Sequence, residues 1–83
     1  MQSFDIIYDD EKFEEAVTVL EFYAEDHKIK YHTYKIHSLY QLKLILNKKD
    51  RGEEAVILTN SPEKFEHINY KKIYINKNPF SSK

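Results

Sequence analysis

Apolar residues follow two different periods along the chain, and the alternation between them predicts its secondary structure. Residues 3–8 form a short apolar run rich in Ile and aromatic side chains, which is typical of a buried strand. From residue 11 to about residue 27, apolar side chains recur at helical spacing and most acids lie off their stripe. The stripe contains Phe13, Ala16, Val17, Leu20, Tyr23 and Ala24. The pattern predicts a strand followed by an amphipathic helix.

The rest of the chain repeats this alternation with shorter elements. Residues 29–36 and 71–76 are rich in β-forming side chains, and residues 55–59 are a continuous apolar run. Ser38 and Gln41 have capping-box spacing, and Gly52 lies where a C-terminal cap is expected, so a second helix is predicted over residues 39–50. Ser61 and Pro62 suit the start of a short third helix over residues 62–68.

The element order β-α-β-α-β-α-β predicts the fold. Strands that alternate with helices favour a parallel sheet joined by crossover connections. We therefore expect a small α/β domain with a four-stranded, mainly parallel sheet in the order 2-1-3-4 and helices packed on it. Residues 1–78 form one domain in this interpretation, and residues 79–83 form a short C-terminal tail.

Composition narrows the class of protein. The chain has 83 residues, of which 41% are apolar and 33% are charged, as in a folded domain with one small core. Cysteine is absent, which excludes disulfides, thiolate zinc sites and cysteine nucleophiles. No apolar run is long enough for a membrane span, and the first residues lack the features of a signal peptide, so we expect a cytoplasmic protein. Abundant Lys, Ile, Asn and Tyr suit an AT-rich genome, such as that of a low-GC bacterium or its phage.

The small net charge of −1 hides a strong separation of charge along the chain. Residues 1–26 carry nine acids and one lysine, whereas residues 27–83 carry twelve Lys or Arg and five acids. A charge distribution of this kind makes the molecule a dipole, which steers its association with charged partners.

One candidate site lies at the topological switch point of the predicted sheet. In the order 2-1-3-4 the first and third strands are neighbours, and ligands tend to bind beyond their carboxyl ends. The side chains expected there are Asp9, Asp10, Thr59, Asn60 and Ser61. The favoured interpretation of the acid pair is helix capping, with a metal site as the alternative. The segment that begins at Thr59 is interpreted as the N-terminal cap of the predicted third helix, with a phosphate-binding site as the alternative.

No catalytic constellation stands out in the sequence, so we expect no enzyme, no metal and no cofactor. The four histidines are His27, His32, His37 and His67, and the intervals of five residues among the first three are borderline for a shared metal ion. On a strand, His32 and His37 fall on opposite faces because five is an odd number. No Ser-His-Asp arrangement is indicated either.

Aromatic and basic residues concentrate on the two strands that the order 2-1-3-4 places at the edges. Aromatic side chains make up 14% of the chain, including seven Tyr. Tyr is favoured at protein interfaces, and an edge strand offers unpaired backbone groups, including to a second copy. The predicted partner-binding residues are Tyr31, His32, Thr33, Tyr34, Lys35 and Tyr74.

The function expected from these features is that of a small non-enzymatic interaction factor, an accessory or inhibitor protein of a phage or low-GC bacterium that binds another macromolecule. Two alternatives stay open. The first is nucleic-acid binding through the basic, Tyr-rich edge strands, although the domain is not basic overall and has a single Arg. The second is a nucleotide- or phosphate-binding signalling domain that uses the switch point.

Overall fold

Four parallel strands form one sheet in the order β2-β1-β3-β4. In this computed structural model, which describes residues 3–79, the strands are β1 (Ser3–Tyr8), β2 (Lys30–Lys35), β3 (Glu54–Leu58) and β4 (Lys72–Ile75). Two helices, α1 (Glu14–Asp26) and α2 (Leu39–Leu46), connect the first three strands. The predicted fold class and strand order are confirmed, and the sheet is parallel throughout.

The sheet separates two apolar clusters because successive side chains of a strand point to opposite faces. On one face Phe4 and Ile6 of β1 pack with α1, whereas on the other face Ile7 packs with α2. The first cluster contains Phe4, Ile6, Val17, Leu20, Ala24, Val56 and Leu58. The second contains Ile7, Ile36, Leu42, Ile45, Ala55, Ile57 and Phe65. The two helices therefore cover opposite faces of the sheet.

Short 3₁₀ turns replace part of the predicted helices. The first helix, predicted from residue 11, begins as a 3₁₀ turn at Glu11–Phe13 before α1 starts. The third helix, predicted over residues 62–68, is only a 3₁₀ turn at Pro62–Phe65, and Phe65 inserts into the core on the α2 face. A single buried anchor holds a turn in place but gives no apolar stripe on which a longer helix would pack.

The second helix is shorter than predicted, and the role predicted for Gly52 is wrong. The helix ends at Leu46 with Asn47 as its C-cap, and Gly52 does not adopt a positive φ angle. Gly52 is required by a close approach instead. A Cβ atom at this position would lie 2.7 Å from both the Cα and the carbonyl carbon of Phe4. The glycine lets the chain before β3 pass directly against the backbone of β1.

The capping box predicted for the second helix forms only in part. Ser38 is the N-cap residue, but its hydroxyl makes no capping hydrogen bond. The side chain of Gln41 reaches back one residue further, and its Oε1 accepts a hydrogen bond from the backbone N–H of His37. Within residues 3–79, neither helix combines the length and the apolar character needed to cross a membrane. The predicted tail lies, apart from Pro79, outside the described residues.

Candidate functional site

The structure brings the five switch-point residues together at the carboxyl ends of β1 and β3. The side chain of Asp9 accepts hydrogen bonds from the Thr59 hydroxyl at 2.5 Å and from the Asn60 backbone N–H at 3.4 Å. The Asn60 side-chain amide donates to Asp10 at 2.8 Å, and the Ser61 backbone N–H donates to the Thr59 hydroxyl at 2.9 Å. These polar groups therefore satisfy one another.

Asp10 is a capping residue. It is the N-cap of the 3₁₀ turn at Glu11–Phe13, and its Oδ1 accepts a hydrogen bond from the Lys12 backbone N–H at 2.9 Å. This bond, together with the one from Asn60, holds the pKa of Asp10 below its ordinary value of 3.8. The capping interpretation of the acid pair thus holds for Asp10, whereas Asp9 ties β1 to the segment that follows β3.

Removing the cap gives the first testable prediction. We expect Asp10→Ala to lower the melting temperature by a few degrees at neutral pH. Since the pKa of Asp10 is lower in the folded chain, its contribution is present above the ordinary pKa and is lost as the pH falls through the folded value. The difference from the wild type should therefore shrink below about pH 4, as thermal melts at several pH values would show.

A metal titration provides the control for this experiment. Millimolar Mg²⁺, Mn²⁺ or Ca²⁺ should leave the melting temperature of the wild type unchanged. A metal-dependent rise that disappears in the Asp9→Ala, Asp10→Ala double variant would contradict the capping account and support a metal site. Among residues 3–79, no group of three or more His, Asp or Glu side chains is placed to hold a metal ion.

A crevice opens beside the switch point, but it is small. Its volume is about 90 Å³, and it is lined by Asp9, Ile36, His37, Ser38, Leu39, Ser61, Lys64 and Phe65. A cavity needs about 10–15 Å³ on this measure to hold one water molecule, whereas pockets for drug-sized ligands measure several hundred Å³. The crevice therefore has room for a few waters or a small ion, and it is too small for a nucleotide.

One face of β2, which carries three of the predicted partner-binding residues, is already occupied by acids. Tyr31, Thr33 and Lys35 point to the α1 face of the sheet. Each of the three has an acidic partner. Tyr31 donates a hydrogen bond to Glu25 at 2.6 Å, and Thr33 donates one to Glu21 at 2.5 Å. The Nζ of Lys35 lies 3.3 Å from Glu11 and 3.6 Å from Glu14. The bond to Glu25 raises the pKa of Tyr31 to about 12. The acids therefore attach α1 to β2.

The other predicted partner-binding residues lie away from these contacts with acids. His32 and Tyr34 point to the α2 face, where their rings stack 6.2 Å apart and the Lys48 ammonium lies 6.0 Å from the Tyr34 ring centre. Tyr74 lies on β4, at the opposite edge of the sheet, with Lys72 over its ring at 5.2 Å. The six residues do not form one continuous surface, and their role in partner binding stays a prediction.

Sequence reasoning missed a polar cluster built around Asp5. This side chain is fully buried in β1, and both of its oxygens lie 3.0 Å from the Gly52 backbone nitrogen. The Tyr70 hydroxyl donates to Asp5 at 2.7 Å, and His32 Nδ1 lies 3.7 Å away. Arg51 stacks over the Tyr70 ring at 4.7 Å. An acid inside the apolar run of residues 3–8 was the available signal, because buried carboxyl groups need partners.

Sequence reasoning also missed two apolar stripes on the outer faces of the helices. On α2, Tyr40 is 69% exposed and Leu44 is 50% exposed, and Leu39 beside them is 46% exposed. On α1, Phe22 is 66% exposed and Val19 is 55% exposed. We define the α2 stripe as Tyr40, Lys43 and Leu44. We define the α1 stripe as Glu15, Val19, Phe22 and Asp26.

The two stripes combine large apolar side chains with charges of opposite sign. In the α1 stripe the residues recur at intervals of three or four, and in the α2 stripe Tyr40 lies three residues before Lys43 and four before Leu44, so each set forms one face of its helix. Lys43 lies beside the apolar pair of the α2 stripe, and Lys48 follows the helix with its ammonium over the Tyr34 ring. Glu15 and Asp26 flank the apolar pair of the α1 stripe. Comparisons of the chain with protein-family models, with curated proteins and with solved structures found no match.

Proposed function

We propose that the domain is a non-enzymatic interaction module that binds an acidic amphipathic segment of a protein through the α2 stripe. The observation that carries this proposal is the exposure of Leu39, Tyr40 and Leu44 side by side on one helix. Large apolar side chains grouped on a surface mark interaction sites, whereas single exposed ones are ordinary.

The charges around this surface support a partner of acidic character. Lys43, Lys48 and Lys49 lie within or directly after α2, and residues 39–49 include no acid. A basic rim around an apolar centre attracts an acidic partner and repels a basic one. Tyr40 supplies the kind of aromatic side chain that contributes most to binding at the centre of an interface.

The edge strands support a nucleic-acid interface less well. Base stacking needs open aromatic faces. The rings of Tyr34 and Tyr74 each have a lysine ammonium over one face, and the Tyr31 hydroxyl is bonded to Glu25. The acids of α1 also lie directly against one face of β2 and oppose the approach of phosphates. We therefore favour a protein partner.

A set of synthetic amphipathic helices tests the proposal. The peptides share one leucine face and carry Glu, Gln or Lys on the other face. We expect the Glu peptide to bind at least about tenfold more tightly than the Lys peptide, a difference of about 1.4 kcal/mol, because only the former complements the basic rim. Fluorescence anisotropy at low salt measures these affinities, and a labelled single-stranded oligonucleotide serves as the nucleic-acid probe.

Matched variants locate the binding surface. Leu44→Glu should abolish binding, and Lys43→Glu should weaken the Glu peptide while it strengthens the Lys peptide. Val19→Glu makes the same kind of change on the opposite face of the sheet and should have no effect. The proposal is overturned if no peptide binds, if all three peptides bind equally, or if the oligonucleotide saturates the domain at micromolar concentration and the Glu peptide does not.

A further inference from the structure

We propose that the acidic partner of the α2 stripe is the α1 stripe of a second copy of this chain, so that the molecules associate head to tail. This inference rests on the proposed function and deepens it by naming the occupant. It is supported by the match in charge and character between the two stripes, by a groove beside the α1 stripe, and by the position of the stripes on opposite faces of the sheet.

Charge complementarity is the first support. The outward acids of the α1 stripe are Glu15 and Asp26, which are exposed and flank Val19 and Phe22. The other acids of α1 differ, because Glu14, Glu21 and Glu25 bind the side chains of β2. The helix thus keeps a separate acidic and apolar face for an external contact. The opposite charges that this face requires come from Lys43 of the α2 stripe and from Lys48 and Lys49, which follow the helix.

Shape is the second support. Val19 also lines an apolar groove of about 340 Å³ between α1 and the end of β4, together with Ala16, Leu20, Leu58, Asn76, Lys77 and Asn78. A recess of this kind accommodates a large side chain from a partner, and filled pockets are where interfaces gain most of their affinity. Tyr40, the most exposed of the large apolar residues, is the matching anchor on the α2 stripe.

The fold determines what kind of assembly results. Because α1 and α2 lie on opposite faces of the sheet, one pair of molecules cannot make the α1–α2 contact twice. The contact is therefore heterologous, and each molecule that joins leaves one free stripe at either end. Helices of 13 and 8 residues are about 20 Å and 12 Å long, so the interface is small and the association weak.

Sedimentation velocity on the full chain tests the inference. The mean mass of the wild type should rise continuously above the monomer mass of 10.0 kDa at concentrations of about 0.1 mM and higher, without stopping at a dimer. High salt should reduce this mass, because the charges are exposed and screened. A wild type that stays monomeric, or a mass that saturates at the dimer, overturns the inference.

Two blocked variants make the test specific. Phe22→Lys puts a cation on the α1 stripe, opposite Lys43, and Tyr40→Ser removes the anchor of the α2 stripe, so each variant should be monomeric alone. Mixed in equal amounts, they retain one compatible pair of stripes and should form a heterodimer of twice the monomer mass that grows no further. Failure of the mixture to associate overturns the inference, as does self-association of either variant.

Controls separate this result from general effects of charge and from the proposed function. Asn69→Lys makes the same change of charge as Phe22→Lys at an exposed position and should assemble like the wild type. Circular dichroism verifies that every variant is folded. If the wild type binds the acidic peptide but does not assemble, the second copy is the wrong partner and the proposed function stands. If neither binds, both proposals fail.

Discussion

Gly52→Ala is expected to lower the free energy of unfolding by about 3 kcal/mol, one of the largest effects available to a single methyl group in this chain. The added Cβ would lie 2.7 Å from the Cα of Phe4, and backbone cannot move aside as a flexible side chain does. Any displacement of Gly52 also lengthens its hydrogen bond to the buried Asp5. Urea denaturation of the variant and the wild type measures the difference.

Gly52→Asn distinguishes close packing from a helix cap. Asn tolerates the left-handed backbone of a C-cap, so at a cap it would cost less than Ala. At a close approach both residues bring a Cβ, and we expect Asn to destabilise the chain at least as much as Ala. Asn69→Ala, at an exposed position, is the control and should change stability by less than about 0.5 kcal/mol. Rescue by Asn would contradict the packing account.

Asp5→Ala is expected to cost about 3 kcal/mol as well, for an electrostatic reason. The substitution leaves the Gly52 N–H and the Tyr70 hydroxyl without their acceptor, and an unpaired polar group in the interior loses its full hydration. Tyr70→Phe removes one donor and keeps the acceptor bonded to Gly52, so its cost should be nearer 1 kcal/mol. Denaturation of both single variants and of the double variant gives the coupling energy between Asp5 and Tyr70. If the effects of the two single substitutions simply add, the two side chains do not act as one cluster.

The pH dependence of stability is a second measure of the same cluster. Burial and the bond to Asp5 raise the pKa of Tyr70 well above its ordinary value of 10. Because the folded pKa is the higher one, the contribution is complete below pH 10 and is lost as the pH rises toward the folded value. The wild type should therefore lose stability above about pH 10 more steeply than Tyr70→Phe.

The sheet could be predicted because each strand is marked by its own short stretch of sequence. The strands are short runs of Ile, Val and aromatic residues, and the alternation of strands with helices leaves few topologies to consider. The switch-point residues followed from the same logic, since they come directly after β1 and β3. The bonds that connect them, such as that from Thr59 to Asp9, depend on side-chain geometry that the order of elements does not contain.

The missed features share a different physical origin. Gly52 resembles a helix cap in sequence, and only the approach of Phe4, distant along the chain, shows its role. The sequence predicts that the acids of α1 all face solvent. In the structure Glu21 and Glu25 bind side chains of β2, and Phe22 is exposed to solvent. A single amphipathic stripe predicts which side of a helix is buried, but it does not predict what the flanks contact.

The Asp5 cluster has a consequence for how the chain folds during synthesis. The carboxyl group obtains its partners from residues 47 and 65 positions further along the sequence. Until the segments that carry Gly52 and Tyr70 have left the ribosome, the α2 face of β1 cannot be covered without leaving the carboxyl group of Asp5 short of partners. Because α1 packs on the opposite face of β1, beside Phe4 and Ile6, we expect that side of the sheet to form first and α2 to pack only after these partners have emerged.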